Sequence, residues 1–217
     1  MLLILGGLGV IAETSELHRK AYNMALYELG MPWQWDREEY AKLLDVAGGK
    51  ARLRLFLTQH DPSLLSYVDT LHTLKTRFYH KLLTEHSIPP RDGLVECIKR
   101  AQESKIRLAI ASTTSQQNIM AMLNAAKIPP EIFAAIGALE HVSMPKPASE
   151  IYDWVRRECR ASLAECIAVE DSHTGVAAAN EAGISCYALP GLNTAHQDFS
   201  RADQIINSYT EISLGRS

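Results

Sequence analysis

Cys166-Ile167-Ala168-Val169-Glu170-Asp171-Ser172 is the stretch whose reading decides the fold. A short apolar run without polar alternation ends in two adjacent carboxylates, and a helical pattern follows from Gly175 to Ala182. Such a run reads as a strand buried on both faces, as in a parallel sheet. The same order recurs outward in both directions. Leu2-Leu3-Ile4-Leu5 ends in Gly6-Gly7-Leu8-Gly9. Ile106 to Ala111 ends in Ser112-Thr113-Thr114-Ser115, ahead of a helix over Gln116 to Ala126. Phe133 to Ile136 and Ile184 to Leu189 are two more runs, and helical patterns cover Leu94 to Gln102 and Ile151 to Glu158. Strands alternating with helices predict an open, mostly parallel α/β sheet with right-handed crossovers.

One segment breaks the alternation. From Ser15 to Ser87 the apolar residues keep helical spacing, with Leu17, Ala21, Met24, Ala25 and Leu29 on one face. Leu64, Leu65, Val68, Leu71, Leu74, Phe78 and Leu82 form another. Gly30-Met31-Pro32 stops the first helix, and Ile88-Pro89-Pro90 with Asp92-Gly93 closes the segment. The expected organisation is a core from residues 1–14 and 89–217, with residues 15–88 inserted as a helical cap. The composition shifts near Thr14-Ser15 and Ile88 to Asp92 mark linkers about which the cap is expected to open and close.

Composition narrows the function classes. The chain has 217 residues, 47% hydrophobic and 22% charged, the balance of a soluble globular protein. Its 22 basic and 25 acidic residues give a net charge of −3, without the electrostatic footprint of a nucleic-acid binder. The four cysteines, Cys97, Cys159, Cys166 and Cys186, form no C-x-x-C pair, which argues against a disulfide framework and a zinc site. Met1 to Ala12 is apolar but lacks a basic flank, and about 12 residues is too short to cross a bilayer. The expectation is a cytoplasmic protein that binds neither nucleic acid nor membrane.

In open α/β sheets ligands gather at the carboxyl ends of the strands. There the sequence offers Ser112 and Thr113, then Lys146 in Met144-Pro145-Lys146-Pro147, then Glu170 and Asp171. Taken singly, a hydroxyl cluster before a helix is an N-cap and a loop lysine is a solvated charge. Together they suit a phosphate ester with a divalent cation. The hydroxyls and the lysine suit phosphoryl oxygens, and the carboxylates are hard ligands for Mg²⁺.

The order resembles the haloacid-dehalogenase-like hydrolase superfamily, in its β-phosphoglucomutase-like branch with a helical cap. Within that branch it is similar to the CbbY-type sugar-phosphate phosphatases. The matching stretches are Gly9-Val10-Ile11-Ala12-Glu13-Thr14, His18-Arg19, Trp33-Gln34-Trp35, Gly48-Gly49-Lys50, Leu108 to Ser112, Lys146-Pro147-Ala148 and Val169 to Gly175. The resemblance implies a Rossmann-like core with an inserted cap and a small phosphorylated sugar as ligand. It implies that Ser112, Thr113 and Lys146 bind phosphate. Glu170 and Asp171, with the backbone carbonyl of Leu8, would hold Mg²⁺. His18, Arg19, Lys50 and Arg52 would face the substrate from the cap.

The resemblance fails at one motif. The family places an Asp-x-Asp-Gly after its first strand. The first Asp attacks phosphorus and binds the metal, and the second is the general acid and base. Here those positions are Gly6 and Leu8. Loss of a nucleophile from groups that act as a unit costs on the order of 10⁴–10⁶ in rate. Turnover of the family type is therefore expected to be lost or greatly weakened, with Mg²⁺ held more weakly. Three readings stay open here: a phosphatase with substitute chemistry, a non-catalytic phosphate- or sugar-phosphate-binding protein, and a partner-binding relic. The glycine-rich turn also invites a reading as a backbone phosphate cradle.

Overall fold

The computed structural model describes residues 1–214. Its centre is a six-stranded sheet in which every neighbouring pair is parallel. The strands are β1 (Leu2–Leu5), β2 (Arg107–Ala111), β3 (Phe133–Gly137), β4 (Cys166–Glu170), β5 (Ser185–Ala188) and β6 (Gln204–Ile205), in the order β3-β2-β1-β4-β5-β6. The five runs read from the sequence are β1 to β5. The two-residue β6 carries too little apolar sequence to announce itself and exists by pairing with β5. The helices of the core are α5 (Leu94–Glu103), α6 (Gln116–Ala125), α7 (Glu150–Glu158) and α8 (His173–Glu181).

The chain builds the sheet outward from β1 through β2 to β3, then returns to β4 on the other side of β1. That reversal is the topological switch point, where the loops leaving β1 and β4 diverge and a crevice opens. Alternation along β1 sends Leu3 and Leu5 into one apolar cluster and Leu2 and Ile4 into the other. Both faces of the central strands are covered, so their runs are apolar throughout.

Between β1 and α5 lie α1 (Ser15–Glu28), α2 (Arg37–Leu43), α3 (Gly49–His60), a 3₁₀ segment over Pro62–Tyr67 and α4 (Val68–Glu85). The helical reading of this segment is met by α1 and α4, while α2 and α3 are added by the structure. These helices carry an apolar cluster of their own, built around Tyr22, Trp35, Tyr40, Phe56 and Leu71. The two connections to the core run side by side. Ala12 and Pro90 form an antiparallel bridge, and the Arg91 amide donates to the Ile11 carbonyl at 2.8 Å. No helix among the described residues is long and apolar enough to cross a membrane, and all four cysteines are buried free thiols.

Candidate active-site cleft

A cleft of about 690 Å³ opens between the strand ends and the inserted helices. Its floor is the switch point. Register pairs Leu5 with Val169, and the Gly6 amide donates to the Val169 carbonyl at 2.8 Å. Gly6 and Glu170 are therefore neighbours across the ladder and project to the same face. Because Gly6 has no side chain, the Glu170 carboxyl lies over its Cα, so that a Cβ built there would overlap it.

The Glu170 carboxylate is closed into a network. The Lys146 ammonium donates to Glu170 Oε1, to the Gly6 carbonyl and, at 2.8 Å, to the Ala111 carbonyl. An ammonium has three N–H groups, so these acceptors use its donor capacity. The Tyr152 hydroxyl, from α7, donates to the same Glu170 oxygen. Both charged side chains are nearly sealed from solvent, Lys146 at 7% and Glu170 at 1% exposure. Lys146, expected at a phosphate, lines the cleft with its ammonium directed at these protein oxygens.

The other floor residues divide. Ser115 caps α6 by accepting from the Asn118 amide, so the N-cap reading of the hydroxyl cluster belongs to Ser115. Ser112, one residue past β2, is buried and lines the cleft with Thr113. The amides of Gly7, Leu8 and Gly9 donate to no protein group among the described residues. Asp171 packs against Gly9, and burial, then the Glu170 charge, pushes its carboxyl up to about 7.

The arrangement does not fit the Mg²⁺ site that the family implies. Among the described residues no three His, Cys, Asp or Glu side chains converge to hold a metal. Glu170 is held by Lys146 and Tyr152 through Oε1, while its Oε2, lying over Gly6 and Gly175, makes no hydrogen bond among the described residues. The Leu8 carbonyl, expected as a ligand, accepts from the Ile11 and Ala12 amides at 3.0 Å each. Asp171 and Glu170 Oε2 are left as the free carboxylate oxygens, short of the near-octahedral oxygen cage Mg²⁺ demands.

The roof is built from α1, α3 and α4. Lys75 is 5% exposed, with its ammonium 5.1 Å from the Tyr22 ring centre and 5.3 Å from that of Tyr79. Among the described residues it has no carboxylate partner, and burial, then the Arg52 charge, lowers it to about 7. His18 stacks on Tyr79 at 3.8 Å; its Nδ1 and the Tyr22 hydroxyl are buried without a hydrogen-bond partner. Burial and the Lys75 charge hold His18 well below the usual imidazole range and bring His72 to about 4. The Arg52 guanidinium is anchored on the Leu43 and Val46 carbonyls at 2.8 and 3.0 Å and lines the cleft.

Of the residues expected to face a substrate, His18, Lys50 and Arg52 line the cleft. Lys50 is half in solvent and paired with Asp69 at 2.7 Å. Arg19 is elsewhere: it bridges Glu16 and the Trp35 carbonyl, clamping the turn between α1 and α2. Lys75, His72 and Tyr152 were not singled out from sequence. Lys75 left a signal, since it stands four residues from both Leu71 and Tyr79 on the buried stripe of α4. A lysine on an apolar stripe is seldom buried without a purpose.

An α/β core with a helical roof over its switch point, lysine and paired carboxylates on the strand ends, defines a phosphate-handling hydrolase fold. The haloacid dehalogenase-like hydrolase family matches over residues 9–189, beginning just beyond Gly6 and Leu8. The chain belongs to that family. It is 40% identical over 208 residues to protein CbbY of Cereibacter sphaeroides, covering 94% of this chain and 90% of the relative. The crystal structure of CbbY from Rhodobacter sphaeroides with phosphate superposes at a TM-score of 0.87 and 39% identity, over 96% of this chain and 95% of the other. A mutant of that CbbY in complex with xylulose-(1,5)bisphosphate matches equally well. A β-phosphoglucomutase from Clostridium difficile, at 18% identity and TM-score 0.81 over 99% and 94% of the two chains, shares the fold.

Proposed function

We propose that this chain binds a phosphorylated sugar in the cleft and does not turn it over by the aspartyl-phosphate route of its family. One observation carries this reading: position 6, at the switch point, has no side chain, and the carboxylate lying over it is engaged by Lys146 and Tyr152. A tethered, hydrogen-bonded carboxylate is a poor nucleophile, and Leu8 has no proton to transfer.

The cleft still suits an anionic ligand. Ser112 and the free amides of Gly7 to Gly9 are donors on the floor. Lys75 and Arg52 supply unneutralised positive charge under the roof. Two donor regions suit a sugar with two phosphoryl groups, consistent with the xylulose bisphosphate bound by a mutant of the related CbbY. The residues for the phosphoryl end are thus Ser112 and Thr113, and those for the cap side are His18, Arg52 and Lys75.

The test is phosphate release with Mg²⁺ over a panel of sugar mono- and bisphosphates, beside calorimetric titration of the same compounds. The expected result is measurable binding, with phosphate release at the level of an Asp171→Ala control. Release that depends on Asp171 would show a working phosphatase. No heat with any compound would leave the cleft as a relic.

A further inference from the structure

We propose that the core of this chain does without a divalent cation, and that the Lys146 ammonium stands in for the cation's charge. Three observations combine. The first is register: Gly6 adjoins Glu170 across the β1–β4 ladder, so removal of a side chain at position 6 opens the space that the Glu170 carboxyl fills. The second is coordination. In that space Glu170 meets Lys146 and Tyr152, and the ammonium finds three oxygens, from Gly6, Ala111 and Glu170. This is the oxygen-rich, carboxylate-bearing setting a small cation would seek, and the ammonium already occupies it. The third is the small remaining donor set, the Asp171 carboxyl and Glu170 Oε2, with the Leu8 carbonyl already accepting two amides and no group of three ligating side chains among the described residues.

Charge balance points the same way. Gly6 and Leu8 replace two carboxylates, removing two negative charges, the amount a divalent cation neutralises. What remains around Gly6 is a buried Lys146–Glu170 pair that is neutral by itself, with the single Asp171 carboxyl beside it against Gly7 and Gly9. A cation entering this site must pull Glu170 from Lys146 and leave a buried ammonium unpaired beside it, which both desolvation and like-charge repulsion oppose.

The inference deepens the binding reading above and rests on it only for its second test. The first test uses the metal alone. Mn²⁺, a paramagnetic probe for Mg²⁺ sites, is titrated into the full chain and followed by electron paramagnetic resonance. The expected signal stays that of the free aqua ion. One bound equivalent, lost in Asp171→Asn, would overturn the proposal. A folded Gly6→Asp, Leu8→Asp double variant is expected to gain Mn²⁺ binding, its new side chain displacing Glu170. A folded double variant that still binds none would overturn the assignment of the loss to these two positions.

The second test titrates inorganic phosphate with Mg²⁺ and again with a chelator present. The affinities are expected to agree within about twofold. Phosphate binding that requires Mg²⁺ would sink the metal-free core and leave the binding reading intact. If neither titration shows binding, the phosphate-binding reading fails, and the Mn²⁺ result decides the cation question alone.

Discussion

The floor and the roof of the cleft treat buried charge in opposite ways. On the floor Lys146 has a carboxylate, two carbonyls and a neighbouring tyrosine hydroxyl closing the network. In the roof Lys75 has two aromatic faces and no anion, with His18 Nδ1 and the Tyr22 hydroxyl unpartnered nearby. A buried charge is tolerated when paired and is costly when not. The Lys146–Glu170 pair of the floor is thus satisfied as it stands, whereas the roof lysine bears a cost that an anionic ligand would relieve. The family's chemistry belongs to the floor, where Lys146 and Glu170 pair with each other.

The strongest way to break this comparison is at Glu170. Glu170→Gln leaves the Lys146 ammonium buried without its counter-charge and should cost about 3–5 kcal/mol, read by urea denaturation. Replacing both partners, Lys146→Met with Glu170→Leu, should recover most of that loss. If Glu170→Gln is neutral, the floor is not the closed network described.

The roof should respond in the opposite sense. Lys75→Met removes an unpaired buried charge and should raise stability at neutral pH by about 1–2 kcal/mol, while weakening a sugar bisphosphate at least about tenfold. The pH dependence has a definite sign. Lys75 titrates near 7 in the folded chain against 10.5 for an ordinary lysine, so between those values the unfolded chain binds the extra proton. Stability conferred at this site therefore rises with pH from about 7 to 10, and the rise should vanish in Lys75→Met. A slope unchanged in the variant would mean that Lys75 has a partner in solution.

Asp171 supplies a smaller effect of the other sign. Its folded value near 7 lies above the usual 3.8, so the folded chain holds the proton longer and stability at this site falls as pH rises from about 4 to 7. Asp171→Asn should gain about 1 kcal/mol above pH 7 and flatten that fall, as followed by thermal melts. Smallest of all is Lys50→Ala. Its partner Asp69 is in solvent, so the denaturation midpoint should not move and ligand affinity should change less than about twofold. A large loss would put Lys50 in the binding set with Lys75.

Much of the fold was legible because the pattern that signals it is local. Unbroken apolar runs such as Leu2–Leu5 and Cys166–Val169 can be satisfied only in a strand covered on both faces. Helical spacing across Leu17 to Leu29 and Leu64 to Leu82 marked α1 and α4, and Gly30 at φ +65° shows the break that ended the first. The short α2 starts on Asp36, whose carboxylate accepts from the Glu39 amide, a cap too brief to stand out between two tryptophans and a glycine pair. At the site, Ser112, Lys146, Glu170 and Asp171 were found because they follow strands. Lys75 and Tyr152 were not, because each sits on the buried stripe of a helix and becomes a site residue only through what packs opposite it.

Sequence alone determined the parallel core, the inserted helices, the phosphate-type residues on the strand ends and the missing carboxylates at Gly6 and Leu8. These follow from side-chain type and order along the chain. Tertiary structure decided what the loss at Gly6 means. The β1–β4 register sets Gly6 beside Glu170, and packing of α7 brings Tyr152 to the same oxygen as Lys146. The sequence lists three polar groups, Lys146, Tyr152 and Glu170, at separate places along the chain. Whether they face a ligand or one another is set by distances of a few ångströms across the sheet, because electrostatic pairing in a buried site depends on separation and desolvation that residue order does not contain.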